Sequence, residues 1–262
     1  MTPALDHVRL ATTADGVTTV TLDRPPVNAL DERFIDELAA VAAHLSSAEG
    51  RARVVVLDSA QKAFMVGADL TMMDGGWDKV RLLIKGFQTA VNAWEAIPSP
   101  TIAVIGGHAL GAGCELALAC DWRLMARGRA TIGLPEVRRG LIAAGGGTQR
   151  MARIVGRAAA LDLCVRGRMV DADTAQGLGL VSEAHDPDDL PGAVDALVQE
   201  LLALPPLTVA AVKRCILEGS DTHLLAGLAV EEREMVAVGE TEDAKEGVRS
   251  FLEKREPRFT GR

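Results

Sequence analysis

The chain has 262 residues, 48% of them apolar, and 36 acidic against 28 basic side chains, a net charge of −8. That length buries a sizeable core without disulfides or a structural metal, so one soluble domain, or a domain with a small appendage, is expected. The negative balance argues against general affinity for nucleic acid or an anionic membrane, and with five Phe, three Trp and no Tyr any chemistry here proceeds without a phenol.

The first two apolar stretches, residues 8–14 and 17–23, flank Asp15-Gly16, a pair suited to a tight hairpin turn, and predict two antiparallel strands. Arg24-Pro25-Pro26 breaks the ladder. Phe34, Leu38, Val41 and Leu45 then recur at helical spacing, predicting a helix over 31–45. Arg53-Val54-Val55-Val56-Leu57 and Thr101-Ile102-Ala103-Val104-Ile105 read as strands buried on both faces. Helices are expected at 111–119 and 147–155, with a strand at 122–125 between them. The segment 71–94 has no assigned structure. This alternation indicates an α/β protein of stacked ββα-like units. Beyond Val181 the periodicity is helical over 188–202, 207–217, 221–238 and 242–254, with no intervening strand. A core over 1–200 and a helical region over 201–262 are expected.

Cys114, Cys120, Cys164 and Cys215 form no Cys-x-x-Cys pair and have no histidine at metal-ligand spacing, so they read as small apolar fillers of a reduced protein, with no metal site. Residues 1–6 show no basic stretch leading into an apolar run, and no apolar segment approaches roughly 18 residues. A cytoplasmic protein is expected. Ten arginines lie between Arg123 and Arg168 against only Glu136 and Asp162. They read either as a solvated or subunit-facing surface or as a local field for an anionic ligand such as a phosphate-bearing thioester.

Three glycine-bearing stretches invite a site: Val66-Gly67-Ala68-Asp69, Gly106 to Gly113, and Ala143-Ala144-Gly145-Gly146-Gly147. None is a dinucleotide fingerprint or a phosphate loop. The second reads as a strand, a glycine turn and a helix start, where free backbone N–H groups and the helix dipole favour negative charge. Such amides can receive a developing oxyanion. Glu115 stands among small apolar neighbours, where burial would raise its pKa and suit it to carry a proton; the alternative is an acid that complements the helix dipole. Glu136, in Leu134-Pro135-Glu136-Val137, is either its acid–base counterpart or a surface acid in a proline turn.

At these residues the chain resembles the enoyl-CoA hydratase/isomerase family, the crotonase superfamily. The likeness runs through Arg24-Pro25-Pro26-Val27-Asn28-Ala29-Leu30, Ala63-Phe64-Met65-Val66-Gly67-Ala68-Asp69-Leu70, His108 to Asp121, Gly133 to Arg150, and the closing Lys254 to Arg262. The resemblance implies a crotonase-like ββα spiral core with an all-helical C-terminal region that builds a homotrimer or a hexamer of two trimers. It implies an acyl-CoA thioester as substrate, with coenzyme A part of the substrate and no separate cofactor. The thioester oxygen would be held by the backbone N–H groups of Ala68 and Ala112. Glu136 would deliver a proton to the α-carbon, Glu115 would hold and activate the water that attacks the β-carbon, and the amide of Ala144 would help hold that water. Contacts to coenzyme A would come from Ala29, Lys62, Ala68, Asp69 and Leu70, and, in a neighbouring subunit, from Phe259 and Arg262.

The implied reaction is hydration of a 2-enoyl-CoA to a 3-hydroxyacyl-CoA. The alternatives are a Δ3,Δ2-enoyl-CoA isomerase, which needs chiefly the residue matching Glu136, and a non-catalytic acyl-CoA-binding member. Three departures from the usual family pattern bear on activity. Ala144 stands where glycine is usual, adding a methyl near the water; the turn around Arg127-Gly128-Arg129 is one residue longer, which would shift Glu136; and Met65-Val66 are bulkier than usual, which would crowd the pocket. The absence of Tyr argues against family members that use a tyrosine hydroxyl, such as feruloyl-CoA hydratase-lyases and dihydroxynaphthoyl-CoA synthases.

Overall fold

The structure, a computed structural model, describes residues 5–262. Strands β1 (Val8–Thr12) and β2 (Val17–Leu22) form the expected hairpin, with Val8 opposite Leu22. Helix α1 (Glu32–Ser46) is capped by Asp31, whose carboxylate accepts from the Phe34 N–H at 2.8 Å. Its apolar stripe of Phe34, Leu38, Val41 and Leu45 is completely buried. The chain continues through β3 (Val54–Ser59), a short 3₁₀ turn at Leu70–Met73, α2 (Trp77–Glu95), β4 (Thr101–Ile105), β5 (Ala109–Leu110), α3 (Ala112–Leu118), β6 (Trp122–Ala126) and β7 (Ile132–Gly133). Then follow α4 (Gly147–Val165), β8 (Met169–Val170), α5 (Ala172–Gly177), β9 (Glu183–His185) and α6 (Leu190–Leu202).

The main sheet has the order β1-β2-β3-β4-β6-β9, antiparallel at the first pair and parallel thereafter. Alternation along its strands separates two apolar layers. Val55, Leu57, Ala103, Ile105 and Met125 face the large core shared with α1, α2 and α3; Val54, Val56, Ile102 and Leu124 face α6 through Leu190, Val194, Val198 and Leu201. The expectation of strands buried on both faces is met. A second, small sheet, β5-β7-β8, stands beside the first.

Beyond the short β7, β8 and α5, which the sequence pattern does not signal, three differences from expectation matter for the site and the core. The unassigned segment contains the 19-residue α2, whose residues Val80, Phe87, Val91 and Trp94 are buried. The helix expected over 147–155 ends where Gly156 (φ +77, ψ 161) breaks α4, and the second helical half, running on to Val165, was not expected. A three-residue strand, β9, follows Val181, where only helices were expected; it is too short to show a period-2 pattern.

Beyond α6 come α7 (Pro206–Ser220), α8 (Leu224–Gly239) and α9 (Glu242–Glu253). Lys213 of α7 donates to the Asp121 carboxylate at 2.7 Å, next to β6. The C-terminal residues fold back on α9, where the Asp243 carboxylate accepts from the N–H groups of Thr260 and Gly261.

Arg123 shows how the arginine-rich stretch is used. It is buried on β6 and donates to the carbonyls of Leu180 (2.8 Å), Ala117 (3.3 Å) and Cys120 (2.5 Å), closing the C-terminal end of α3. Arg123→Met strands these buried acceptors. It is expected to lower stability by about 3 kcal/mol, read as a lower urea midpoint at an unchanged m-value.

Candidate active site

Two chain segments meet at the start of α3. Leu110 pairs with Gly133, and the Gly111 N–H donates to the Gly133 carbonyl at 3.0 Å. Gly111 then turns with φ +55, and α3 begins at Ala112 without a side-chain cap. From the other side, Met65 bridges Ala109 and Ala68 bridges Leu30. The bonds flanking Ala68, Leu30 N–H to Gly67 O and Asp69 N–H to Leu30 O, both 2.8 Å, leave the Ala68 N–H outside the ladder. A Cβ on Gly67 would lie 3.9 Å from the Ala112 nitrogen, so the two turns are in contact. Among the described residues neither the Ala68 nor the Ala112 N–H has an acceptor, and both residues line one cavity.

Glu115, one turn into α3, is 3% exposed. Its Oε1 accepts from the N–H groups of Gly145 (2.7 Å) and Gly147 (2.8 Å), while Oε2 has no protein partner among the described residues. Burial pushes its pKa up to about 7; the Gly147 amide opposes this, the nearby Glu136 reinforces it, and Gly145 and Arg150 oppose it. The loop that supplies the amides has little room. A Cβ on Gly145 would lie 2.3 Å from Phe87 and 2.6 Å from Glu115 Oε2.

Glu136 opens a short 3₁₀ turn, Glu136–Arg139. Its Oε2 is buried without a hydrogen-bond partner among the described residues, and burial raises its pKa against the opposing effects of its own backbone N–H and Arg139. It sits over Gly111, where a Cβ would lie 2.7 Å from Glu136 Oε1. Glycine is therefore required there by φ, and a Cβ would also push the Glu136 carboxylate aside.

The cavity has a volume of about 930 Å³. It brings together Ala68, Asp69, Leu70, Ala112, Glu115, Glu136 and Ala144, residues singled out from the sequence. Ala29 and Lys62 do not line it: the Ala29 carbonyl accepts from Arg24, and the Lys62 side chain is exposed with its backbone against Gly107. The Asp69 carboxylate pairs with Arg24 and accepts from Thr71. Phe259 and Arg262 lie against α9 of their own chain, away from the cavity.

Two expectations about departures need correction. Val66 lines the cavity, but Met65 is completely buried in the core and does not. Arg127 pairs with Asp173 and Asp186, so the longer turn packs near β9 rather than against Glu136. Of the ten arginines only Arg138 and Arg139 reach the cavity. What the sequence reading missed is the apolar wall of α2, from Trp77 through Val80 and Ile84 to Phe87. The recurrence of Val80, Ile84, Phe87, Val91 and Trp94 at spacings of four, three, four and three was its signal.

The profile of the enoyl-CoA hydratase/isomerase family matches residues 12–262. The chain belongs to this family. As a family member it is 36% identical over 268 residues to the mouse mitochondrial enoyl-CoA hydratase domain-containing protein 2, covering 100% of this chain and 90% of the relative. Crystal structures of an enoyl-CoA hydratase from Bacillus anthracis (32% identical, TM-score 0.91, 98% of this chain and 100% of that one) and from Mycobacterium smegmatis (32%, TM-score 0.92, 97% and 99%) share its fold. The crotonase-like α/β fold with its helical C-terminal region is therefore that of the family, whose substrates are acyl-CoA thioesters. Among the described residues no single helix is long and apolar enough to cross a membrane.

The raised pKa of Glu115 has a cost in stability with a definite sign. Between pH 4.5 and about 7 the folded protein holds a proton on Glu115 that the unfolded chain has released, so stability falls as pH rises through that window. Glu115→Gln keeps an oxygen for the two amides and removes the buried charge. The variant is expected to gain on the wild type by at most about 3 kcal/mol between pH 4.5 and 8, measured by urea unfolding at both pH values; a constant difference would show that burial does not hold the carboxyl protonated.

Proposed function

We propose that the protein is a 2-enoyl-CoA hydratase, adding water across the 2,3 double bond to give a 3-hydroxyacyl-CoA. The observation that carries this reading is the pair of glutamates on one cavity, with Glu115 Oε1 held by two loop amides and Oε2 left for a water. In the proposed reaction the water oxygen bonds to the β-carbon as one water proton passes to Glu115. The π electrons move toward the thioester oxygen, whose developing charge the Ala68 and Ala112 N–H groups stabilise by about 3 kcal/mol per donor. Glu136 then gives its proton to the α-carbon, forming the C–H bond, and the two carboxyl groups exchange protons with solvent to reset. A carboxyl with a pKa of about 7 serves as a base at neutral pH, and burial raises the pKa of Glu136, which favours its role as the proton donor. In this reading Ala144, on the cavity wall, offers its amide to the water, and Asp69 and Leu70 face the coenzyme, with Ala29 and Lys62 next to that end.

The reading needs no cofactor apart from the coenzyme A of the substrate. It includes assembly into a homotrimer or a hexamer through residues 201–262, with Phe259 and Arg262 reaching a neighbour's coenzyme. Supporting this, α8 and α9 expose Leu224 (76%), Leu225 (74%) and Phe251 (82%), large apolar groups with no cover in a single chain. A cytoplasmic location is also part of the reading, supported by four cysteines that form no disulfide.

Hydration destroys the conjugation of crotonyl-CoA, so its ultraviolet absorbance should fall on adding the protein. Glu115→Gln and Glu136→Gln are each expected to lower kcat by about a hundredfold or more while acyl-CoA binding by calorimetry persists. Conversion of a 3-enoyl-CoA without hydration of crotonyl-CoA would replace this reading with an isomerase. Binding without either turnover would replace it with an acyl-CoA-binding protein.

A further inference from the structure

Helix α2 presents a second face to the site. Gln88, Asn92 and Glu95 fall at positions i, i+4 and i+7 and so share one side of the helix. Each bonds to the segment that carries the Glu115 amides. Gln88 Nε2 donates to the Ala144 carbonyl at 2.7 Å. Arg150, in the first turns of α4, donates through Nε to Glu95 Oε1 (3.0 Å) and through Nη2 to Glu95 Oε2 and Asn92 Oδ1 (both 2.7 Å). Its Nη1 faces the Gly145 carbonyl at 3.4 Å, and a Cβ on Gly146 would lie 2.2 Å from the same nitrogen. The Arg150 side chain is only 10% exposed. A guanidinium held in a two-pronged bond has one orientation, which a lysine ammonium cannot reproduce.

We propose that Arg150 is a positioning residue for Glu115: fixed by Glu95 and Asn92, it holds residues 145–147 so that the Gly145 and Gly147 N–H groups meet the carboxylate. The geometric part of this assignment stands on the structure alone, whereas its effect on turnover rests on the hydration reading above. The charged and titratable groups facing Glu115 are Glu136 across the cavity, Arg150 from α4 and the buried Cys114 thiol beside it. Glu95 on α2 faces Arg150, and Arg139 faces Glu136. Arg150 therefore acts on Glu115 in two ways, through the amides it places and through a positive charge that Glu95 partly neutralises.

These two routes separate the role from one of stability alone. Titration of Glu115 is followed in the intact, substrate-free protein by the infrared band of the protonated carboxyl, assigned by its loss in Glu115→Gln. Arg150→Gln removes the charge and is expected to move the midpoint up by about one pH unit, while Glu95→Gln frees the charge and moves it down. Arg150→Lys keeps the charge but not the fork: with the amides less well placed its midpoint rises, though by less than in Arg150→Gln, and kcat for crotonyl-CoA falls about tenfold with KM nearly unchanged. Should Arg150→Gln fail to fold, Glu95→Gln and Arg150→Lys still decide. Shifts of the same sign in the two neutralising variants, or a lower Tm with an unmoved midpoint, overturn the proposal. A wild type that does not hydrate crotonyl-CoA overturns the hydratase reading instead and leaves the infrared comparison intact.

Discussion

The structure of the site turns on one constraint, the burial of the Glu115 carboxylate on two amides of a glycine loop. A carboxylate in that position is tolerated only where hydrogen-bond donors replace the water it has lost. Gly145 and Gly147 supply them, and both must be glycine because Phe87, Leu134 and Glu115 itself fill the space a Cβ would need. The loop, in turn, is kept in place from α2 and from the start of α4. Helix, loop and carboxylate therefore form a single unit, and none can move far without exposing an unsatisfied charge.

The other half of the cavity rests on backbone geometry. Asn28, buried with φ +53, donates to the Ser59 hydroxyl and the Phe64 carbonyl, both at 2.8 Å, and accepts from the Arg24 N–H. It thereby ties the 24–30 segment to the 59–64 turn and sets the register in which Leu30 bridges Ala68. Gly113 allows the Met65 carbonyl to approach α3 so closely that a Cβ would come within 2.2 Å of it. The unpaired N–H groups of Ala68 and Ala112 follow from these two packings rather than from any side chain of their own.

Much of this was legible before the structure. Strands rich in Val and Ile, one helix with a clear stripe, and glycine turns before helices were enough to outline an α/β protein, and the order of motifs pointed to the family. Glu115, Glu136, Ala68, Ala112 and Ala144 do line one cavity. What stayed hidden was long-range or irregular. The polar side of α2 has meaning only once Arg150 is seen opposite it, 55 to 58 residues away in the chain. The kink at Gly156 and the three-residue β9 carry no periodic signal at all. Met65 illustrates the opposite error, since neighbouring residues on an extended segment point to opposite sides and only Val66 faces the cavity.

The three tryptophans are distributed unequally. Trp94 is fully buried with its Nε1 donating to the Leu38 carbonyl, Trp122 is half-buried on the main sheet, and Trp77 stands 70% exposed on the cavity wall. With no tyrosine anywhere in the chain, its near-ultraviolet emission arises from these indoles alone. Two of them report on the folded core, and the third stands where a molecule entering the cavity would change its surroundings. The protein thus carries an intrinsic optical gauge of occupancy, independent of turnover.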